Sequence, residues 1–255
     1  MKREHLCRLC LLWLMINVLS ACGYNAQGDN YIPDKVAENY MLRGIEYMRL
    51  QQDERAFQLL KEAVKLDRHY AEAHNALAVF YERRLRDYEN AKQYYQMALA
   101  LKPNGSDIHN NYGQFLCGRN RWEEAEQHFL KALENPLYKT PEFPLTNAGL
   151  CALRNKHPIK GETYLREALQ RRPDLPIALY YMAHLSYEQK RYMPARKYLQ
   201  RYLEVAKHSP QTLWLGIRIE RILNDRDAEA SYALLLRKKF PDAVETQKLN
   251  QSEKP

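Results

Sequence analysis

Five cysteines and eight histidines are the side chains of this protein best equipped for covalent or metal chemistry, and their spacing decides which kind is open to them. Cys117 and Cys151 stand 34 residues apart, too far for a local metal-chelating loop but suitable for a disulfide between separate elements. The histidines are dispersed. The closest two, His69 and His74, are five residues apart and do not make the HExxH helix that presents two imidazoles to zinc. No glycine-rich phosphate loop and no G-x-S-x-G nucleophile elbow occurs. The many carboxylates alternate with basic residues, as on solvated helix faces. These patterns predict no catalytic residue, no metal, no cofactor and no small-molecule substrate, so the chemistry to expect is that of binding.

The third kind of cysteine chemistry lies at the N-terminus, where Lys2, Arg3 and Arg8 precede an apolar run over residues 9–19. A membrane-spanning helix needs about 20 apolar residues, and this run has about half that. A basic start, a short apolar core and the small residues Ser20 and Ala21 describe a secretory signal peptide over residues 1–21. Its end, Leu19-Ser20-Ala21-Cys22, resembles the lipobox of bacterial lipoproteins, in which the thiol of the new first residue receives a diacylglycerol. The rival readings are a signal peptide with an incidental cysteine and a first core helix, and the polar, loop-like residues 23–30 speak against the second. Cys7 and Cys10 leave with the leader. The lipobox resemblance implies a lipid-anchored Cys22, a tether over residues 22–36 and, with Gly23 rather than Asp next in line, the periplasmic face of the outer membrane. Several acyl chains on one cysteine suffice for lasting attachment, since each buried CH₂ contributes about 0.8 kcal/mol.

What must position any binding residues is a repeat. The stretch NALAVFYERRLRDYENAKQYYQMALALKP, residues 75–103, resembles the tetratricopeptide (TPR) pattern of small and bulky residues at fixed places. Its small position 8 recurs as Gly44, Ala78, Gly113, Gly149 and Ala183, with the larger Ile217 in the weakest copy, at spacings of 34, 35, 36, 34 and 34. Position 20 reads Ala56, Ala91, Ala125, Gly161 and Ala195; position 27 reads Ala63, Ala98, Ala132 and Ala168; and Pro103, Pro173 and Pro241 close three copies. Small residues let two antiparallel helices approach, bulky ones such as Leu60, Tyr95 and Phe129 fill the space beside them, and proline stops the second helix. The expected fold is all-α, a right-handed tetratricopeptide-repeat superhelix of six repeats and about twelve antiparallel helices, over residues 37–70, 71–105, 106–141, 142–175, 176–209 and 210–241. A C-terminal tail of residues 242–255 follows. Repeat four departs from the pattern after the proline-rich stretch NPLYKTPEFP, and repeat six has Ile217 and Glu220 where small and aromatic residues are usual.

A net charge of +8 favours acidic partners, but basic and acidic residues are interspersed and no basic tract or nucleic-acid motif is present, so no nucleic acid is expected. In TPR folds the concave face is lined by fixed positions of the first helices. Here these are Met41, Ile45 and Met48 in repeat one; Asn75, Val79 and Arg83 in repeat two; Asn110 and Gln114 in repeat three; and Tyr180, His184, Tyr187, Trp214 and Arg218 in repeats five and six. Amides donate and accept at once, so Asn75, Asn110, Asn111 and Asn147 suit an extended peptide backbone, or else bond within the stack. Cys117 and Cys151 fall on successive first helices, which lie side by side in such a stack. An exported protein would oxidise that pair to a disulfide; otherwise they are two buried thiols.

A lipobox followed by six repeats, with the stretches HNALAVFYERRLRDYENAKQYYQMALALKPNGSDIHNNYGQFLCGRNRWEEAEQHFLKAL and NAGLCALR, resembles the PilF/PilW family of type IV pilus biogenesis lipoproteins. That resemblance implies a pilotin: a monomeric protein that helps the pilus secretin, its protein partner, reach and multimerise in the outer membrane, and so supports pilus extrusion and twitching motility. A TPR adaptor for peptidoglycan enzymes or for outer-membrane protein assembly is the alternative.

Overall fold

A computed structural model describes residues 32–252; the signal peptide, Cys22 and most of the tether expected from the sequence lie outside the described residues. The described chain is all helical and falls into two compact units, residues up to 103 and residues from 104 onward.

The first unit holds α1 (Lys35–Arg49), α2 (Asp53–Leu66), α3 (Ala71–Phe80, continued by a π-helical turn Tyr81–Leu85) and α4 (Tyr88–Leu101). Helix α1 starts where it does because the Asp34 carboxylate accepts hydrogen bonds from the backbone N–H groups of Val36, at 2.7 Å, and Ala37, at 3.1 Å. The Asp34 N–H in turn donates to the Asp67 carboxylate at 3.0 Å, tying the head of α1 to the end of α2. Ala37, Ala56 and Ala63 are fully buried, which allows Leu60, Leu77 and Phe80 to pack between the helices. The extra residue in the π turn is what lengthens the second repeat to 35 residues. The turn ends at Arg86, whose backbone is left-handed, and is closed by the Asp87 N–H, which reaches back to the Tyr81 carbonyl at 3.0 Å.

The second unit holds α5 (Ser106–Gly118), α6 (Trp122–Leu133), α7 (Glu142–Arg154), α8 (Pro158–Arg171), α9 (Pro176–Glu188), α10 (Tyr192–Val205), α11 (Pro210–Leu223), α12 (Arg226–Lys239) and α13 (Val244–Ser252). Helices α8, α9 and α11 begin on proline, whose missing N–H is no loss in a first turn. In the α5–α6 and α7–α8 pairs the backbones are so close that position 8 has no room for a side chain. A Cβ on Gly113 would fall 2.7 Å from the Phe129 ring, and one on Gly149 would fall 2.8 Å from Leu165. Gly161, which stands in repeat four where other repeats carry alanine, is required for the same reason: Leu153 already fills the space 2.6 Å from where its Cβ would be.

Repeat six makes its close approach one residue earlier than the pattern places it. A Cβ on Gly216 would fall 2.9 Å from the Tyr232 ring, sixteen residues on, while Ile217 is fully buried and shares a core cluster with Ala233. The residues after Pro241, expected to trail the last repeat, form α13. Its Leu249 joins Leu213, Ile217, Ala233 and Leu236 in a core cluster, and its Thr246 hydroxyl donates to the Phe240 carbonyl at 2.6 Å. All six first-to-second-helix corners turn through one residue with left-handed backbone, at Gln51, Arg86, Asn120, Lys156, Lys190 and Asn224, with φ between 55° and 61° and none of them glycine.

Candidate partner-binding face

The residues expected to line the face divide by exposure. In the first unit Met41 and Val79 are buried, at 7% and 8%, and belong to the packing of α1 and α3; Met48 is half-buried against the same core. Ile45 is 39% exposed, Arg83 is exposed on the π turn, and Asn75 is half-buried on α3. Of the residues expected to line the face in this unit, Ile45, Asn75 and Arg83 are the ones with the most exposed surface. Sequence position alone overstated Met41 and Val79, because helices brought this close by Ala37 and Ala78 cover the residues beside those alanines.

In the second unit Asn110 is 8% exposed, and its side-chain oxygen accepts a hydrogen bond from the Asn147 amide at 2.8 Å. The asparagines of α5 and α7 therefore bond to each other within the stack, leaving Gln114, half-buried one turn further along α5, nearer to solvent. On α9, Tyr180 and His184 sit a turn apart with ring centroids 6.3 Å from each other, both half-buried. Tyr180 also lies 6.3 Å from Tyr202, and burial raises its hydroxyl pKa above the ordinary value. The Arg218 guanidinium of α11 lies 4.2 Å over the Tyr187 ring and 3.5 Å from the Glu188 carboxylate, so α9 and α11 are joined by a cation–π contact and an ion pair. Trp214, named with them from the sequence, packs half-buried on the α11–α13 core.

Cys117 on α5 and Cys151 on α7 are joined through their sulfurs with Cα atoms 5.9 Å apart, both side chains being buried. One turn beyond Trp122, Glu126 of α6 accepts hydrogen bonds from Lys160 and from the Tyr164 hydroxyl of α8, both at 2.5 Å. Burial works to raise the Glu126 pKa, but the two α8 partners outweigh it and hold the carboxyl below its usual range. Arg196 of α10 makes a two-pronged ion pair to Glu220 of α11, which is 3% exposed, and reaches Asp225 at 3.2 Å. Neither cluster is signalled by local sequence, since the partners are 24 to 38 residues apart. Among the described residues, no group of three or more His, Cys, Asp or Glu side chains is disposed to hold a metal ion, and no helix is long and apolar enough to cross a membrane.

The helical pairs match the Tetratricopeptide repeat family model over residues 41–106 and 81–138. Across nearly its whole length the chain is similar to the type IV pilus assembly protein PilF of Pseudomonas aeruginosa, 32% identical over 251 residues covering 97% of this chain and 99% of that protein. Two solved structures agree with it. One, from a functional characterisation of Pseudomonas aeruginosa PilF, superposes with a TM-score of 0.78 at 33% identity, over 87% of this chain and 99% of the other. The second is PilW, described as a widely conserved type IV pilus biogenesis factor, with a TM-score of 0.77 at 31% identity, over 85% and 99%. An all-α tetratricopeptide-repeat fold and a near full-length relationship converge: the chain belongs to the PilF family of type IV pilus assembly proteins.

Proposed function

We propose that this protein is an outer-membrane lipoprotein that acts as the pilotin of a type IV pilus secretin, working by binding and not by catalysis. The observation that carries the reading is the 32% identity to PilF over 97% of this chain and 99% of that protein. In this reading signal peptidase cuts before Cys22, the cysteine is acylated, and residues 22–36 hold the repeats at the periplasmic face of the membrane. The repeats then bind the secretin, each unit through its own residues: Ile45, Asn75 and Arg83 in the first, and Gln114, Tyr180 and His184 in the second. Oxidation of Cys117 and Cys151 in that compartment staples α5 to α7, the helices that carry Asn110, Gln114 and Asn147. By this route the protein promotes secretin localisation and multimerisation, and with them pilus biogenesis and twitching motility.

A deletion strain complemented with wild-type protein or with Cys22→Ala tests the proposal. Loss of heat-stable secretin multimers and of surface pili in the deletion, rescued by wild type but not by Cys22→Ala, is the expected result. Intact secretin multimers in the deletion, accompanied by altered envelope integrity, would overturn the pilotin assignment and favour an adaptor for peptidoglycan enzymes. Crosslinking in the native membrane, followed by identification of the partner, checks the same claim from the other side.

A further inference from the structure

His109 of α5 and His128 of α6 face each other through the same ring atom, with Nδ1 to Nδ1 at 2.8 Å and ring centroids 5.0 Å apart. A nitrogen–nitrogen separation of that size is a hydrogen bond, and it needs one N–H and one lone pair. Neutral rings therefore carry opposite tautomers, one protonated at Nδ1 and the other not. One added proton still fits, because an imidazolium on one side donates to a neutral ring on the other. A second does not fit, since two N–H groups would point at each other across the same gap. His109 is 7% exposed and His128 half-buried, and the Tyr112 ring stands edge-on to His128 at 4.8 Å, so the pair has little water to turn to.

The remaining ionisable groups on the packed helices are mostly committed to one another. On α6, Glu124 favours a charged His128 and Arg121, just before the helix, opposes it, and these two are themselves paired. Glu126 is held by Lys160 and Tyr164, while Glu123 and Lys131 are exposed. On α5, Asp107 accepts from the Tyr138 hydroxyl at 2.7 Å. On α7, Glu142 is held by Arg172, Cys151 is in the bridge to Cys117, and Arg154 is exposed. We propose that the His109–His128 pair is an acid-sensitive latch between the two helices of repeat three, closed while at most one extra proton is shared and released when both rings charge. The proposal rests on the reading that α5 contributes to the partner-binding face: Asn110 follows His109 directly and accepts from Asn147, so movement of α5 against α6 is passed into the contact with α7.

Burial, then the neighbouring His109, lowers the pKa of His128 to about 4. A histidine depressed in the folded state takes up its proton earlier in the unfolded chain, so stability is full above about 6.5 and falls as the pH drops towards 4. The test compares the full chain with His128→Asn, whose side-chain oxygen can take the place of the Nδ1 acceptor without titrating. In the wild type, each pH unit lost between 6.5 and 4 is expected to reduce the folded-to-unfolded ratio roughly three- to tenfold more than in His128→Asn. The Asn147 side-chain amide resonances should move with that step in wild type only. Equal pH slopes in the two proteins, or ¹⁵N spectra showing both rings in the same tautomer at pH 7.5, would overturn the latch. A latch that titrates as expected while Gln114→Ala leaves secretin multimers intact in cells would instead remove the partner-face reading and leave the latch standing.

Discussion

Two glycines on one helix should respond oppositely to the same substitution, and the contrast tests whether position 8 is set by space or by helix propensity. Both Gly113 and Gly118 lie in α5 with ordinary helical backbone. Replacing an interior helical glycine by alanine gains up to about 1 kcal/mol from chain entropy. At Gly118 nothing lies within 4 Å of the new methyl group, so Gly118→Ala should keep most of that gain, about 0.5 kcal/mol at the end of a helix. At Gly113 the methyl would meet Phe129 Cε1 at 2.7 Å and the Ala125 carbonyl at 3.1 Å. The Phe129 ring is fully buried and the carbonyl belongs to the facing helix, so neither can step aside without moving α6 against α5. Overpacking of that kind costs about 1–3 kcal/mol, which exceeds the propensity gain and leaves Gly113→Ala about 1 kcal/mol less stable than wild type. Gly113→Leu should be worse. Urea denaturation of the three proteins, compared at equal m-values, gives the answer. If both alanine variants are stabilised to the same degree, the close approach of α5 and α6 is not what keeps position 8 small.

Further outcomes follow from other contacts. Arg196→Ala strands the buried Glu220 carboxylate and should destabilise by about 3 kcal/mol, whereas Arg166→Ala, which removes a half-exposed cation and leaves Glu162 paired with Arg191, should cost less than about 1 kcal/mol; similar losses in the two would show that water reaches Glu220. Lys190→Gly relieves left-handed backbone at φ 59° and should raise the thermal midpoint, with a gain of about 1 kcal/mol; a lowered midpoint would mean that the Lys190 side chain holds the corner in some other way. Reduction of the Cys117–Cys151 bridge, which closes a loop of 34 residues, should lower stability by about 3–4 kcal/mol, read as a shift in the urea midpoint with and without reductant. His74 and His208 are both lowered by burial, so each adds stability above about pH 6.5 that is lost as the medium is acidified; His74→Gln should flatten that dependence without altering stability at pH 8.

The repeat register was legible because it depends on volumes at fixed spacing: Gly113 against Phe129 is written into the chain sixteen residues apart. In the weak sixth copy Ile217 looked like a defect, and the close approach is made one residue earlier, by Gly216 against Tyr232. The π turn was not legible, since one extra residue before Arg86 reads the same as a longer corner. Burial within the face was only half legible. Position numbers say which residues point towards the neighbouring first helix, but Met41, Val79 and Asn110 are covered by how closely that neighbour approaches, and closeness is a sum over both helices. The clusters of opposite charge were illegible for a different reason: Arg196 sits at an ordinary solvent-type position, and Glu220, though it stands where an aromatic is usual, names no partner until α10 and α11 bring the two together.

A stack of identical units has an inherent problem, which is that its last member presents the same adhesive surface as every member before it. Without α13, Leu213 and Ile217 would offer solvent a strip shaped to receive another first helix, and the cheapest occupant would be that of a second molecule. By laying Leu249 and Thr246 over that strip, nine residues outside the repeat pattern act as a chain terminator for an otherwise open-ended polymer. A protein truncated after Phe240 should therefore keep its repeats and lose its discreteness, forming concentration-dependent oligomers.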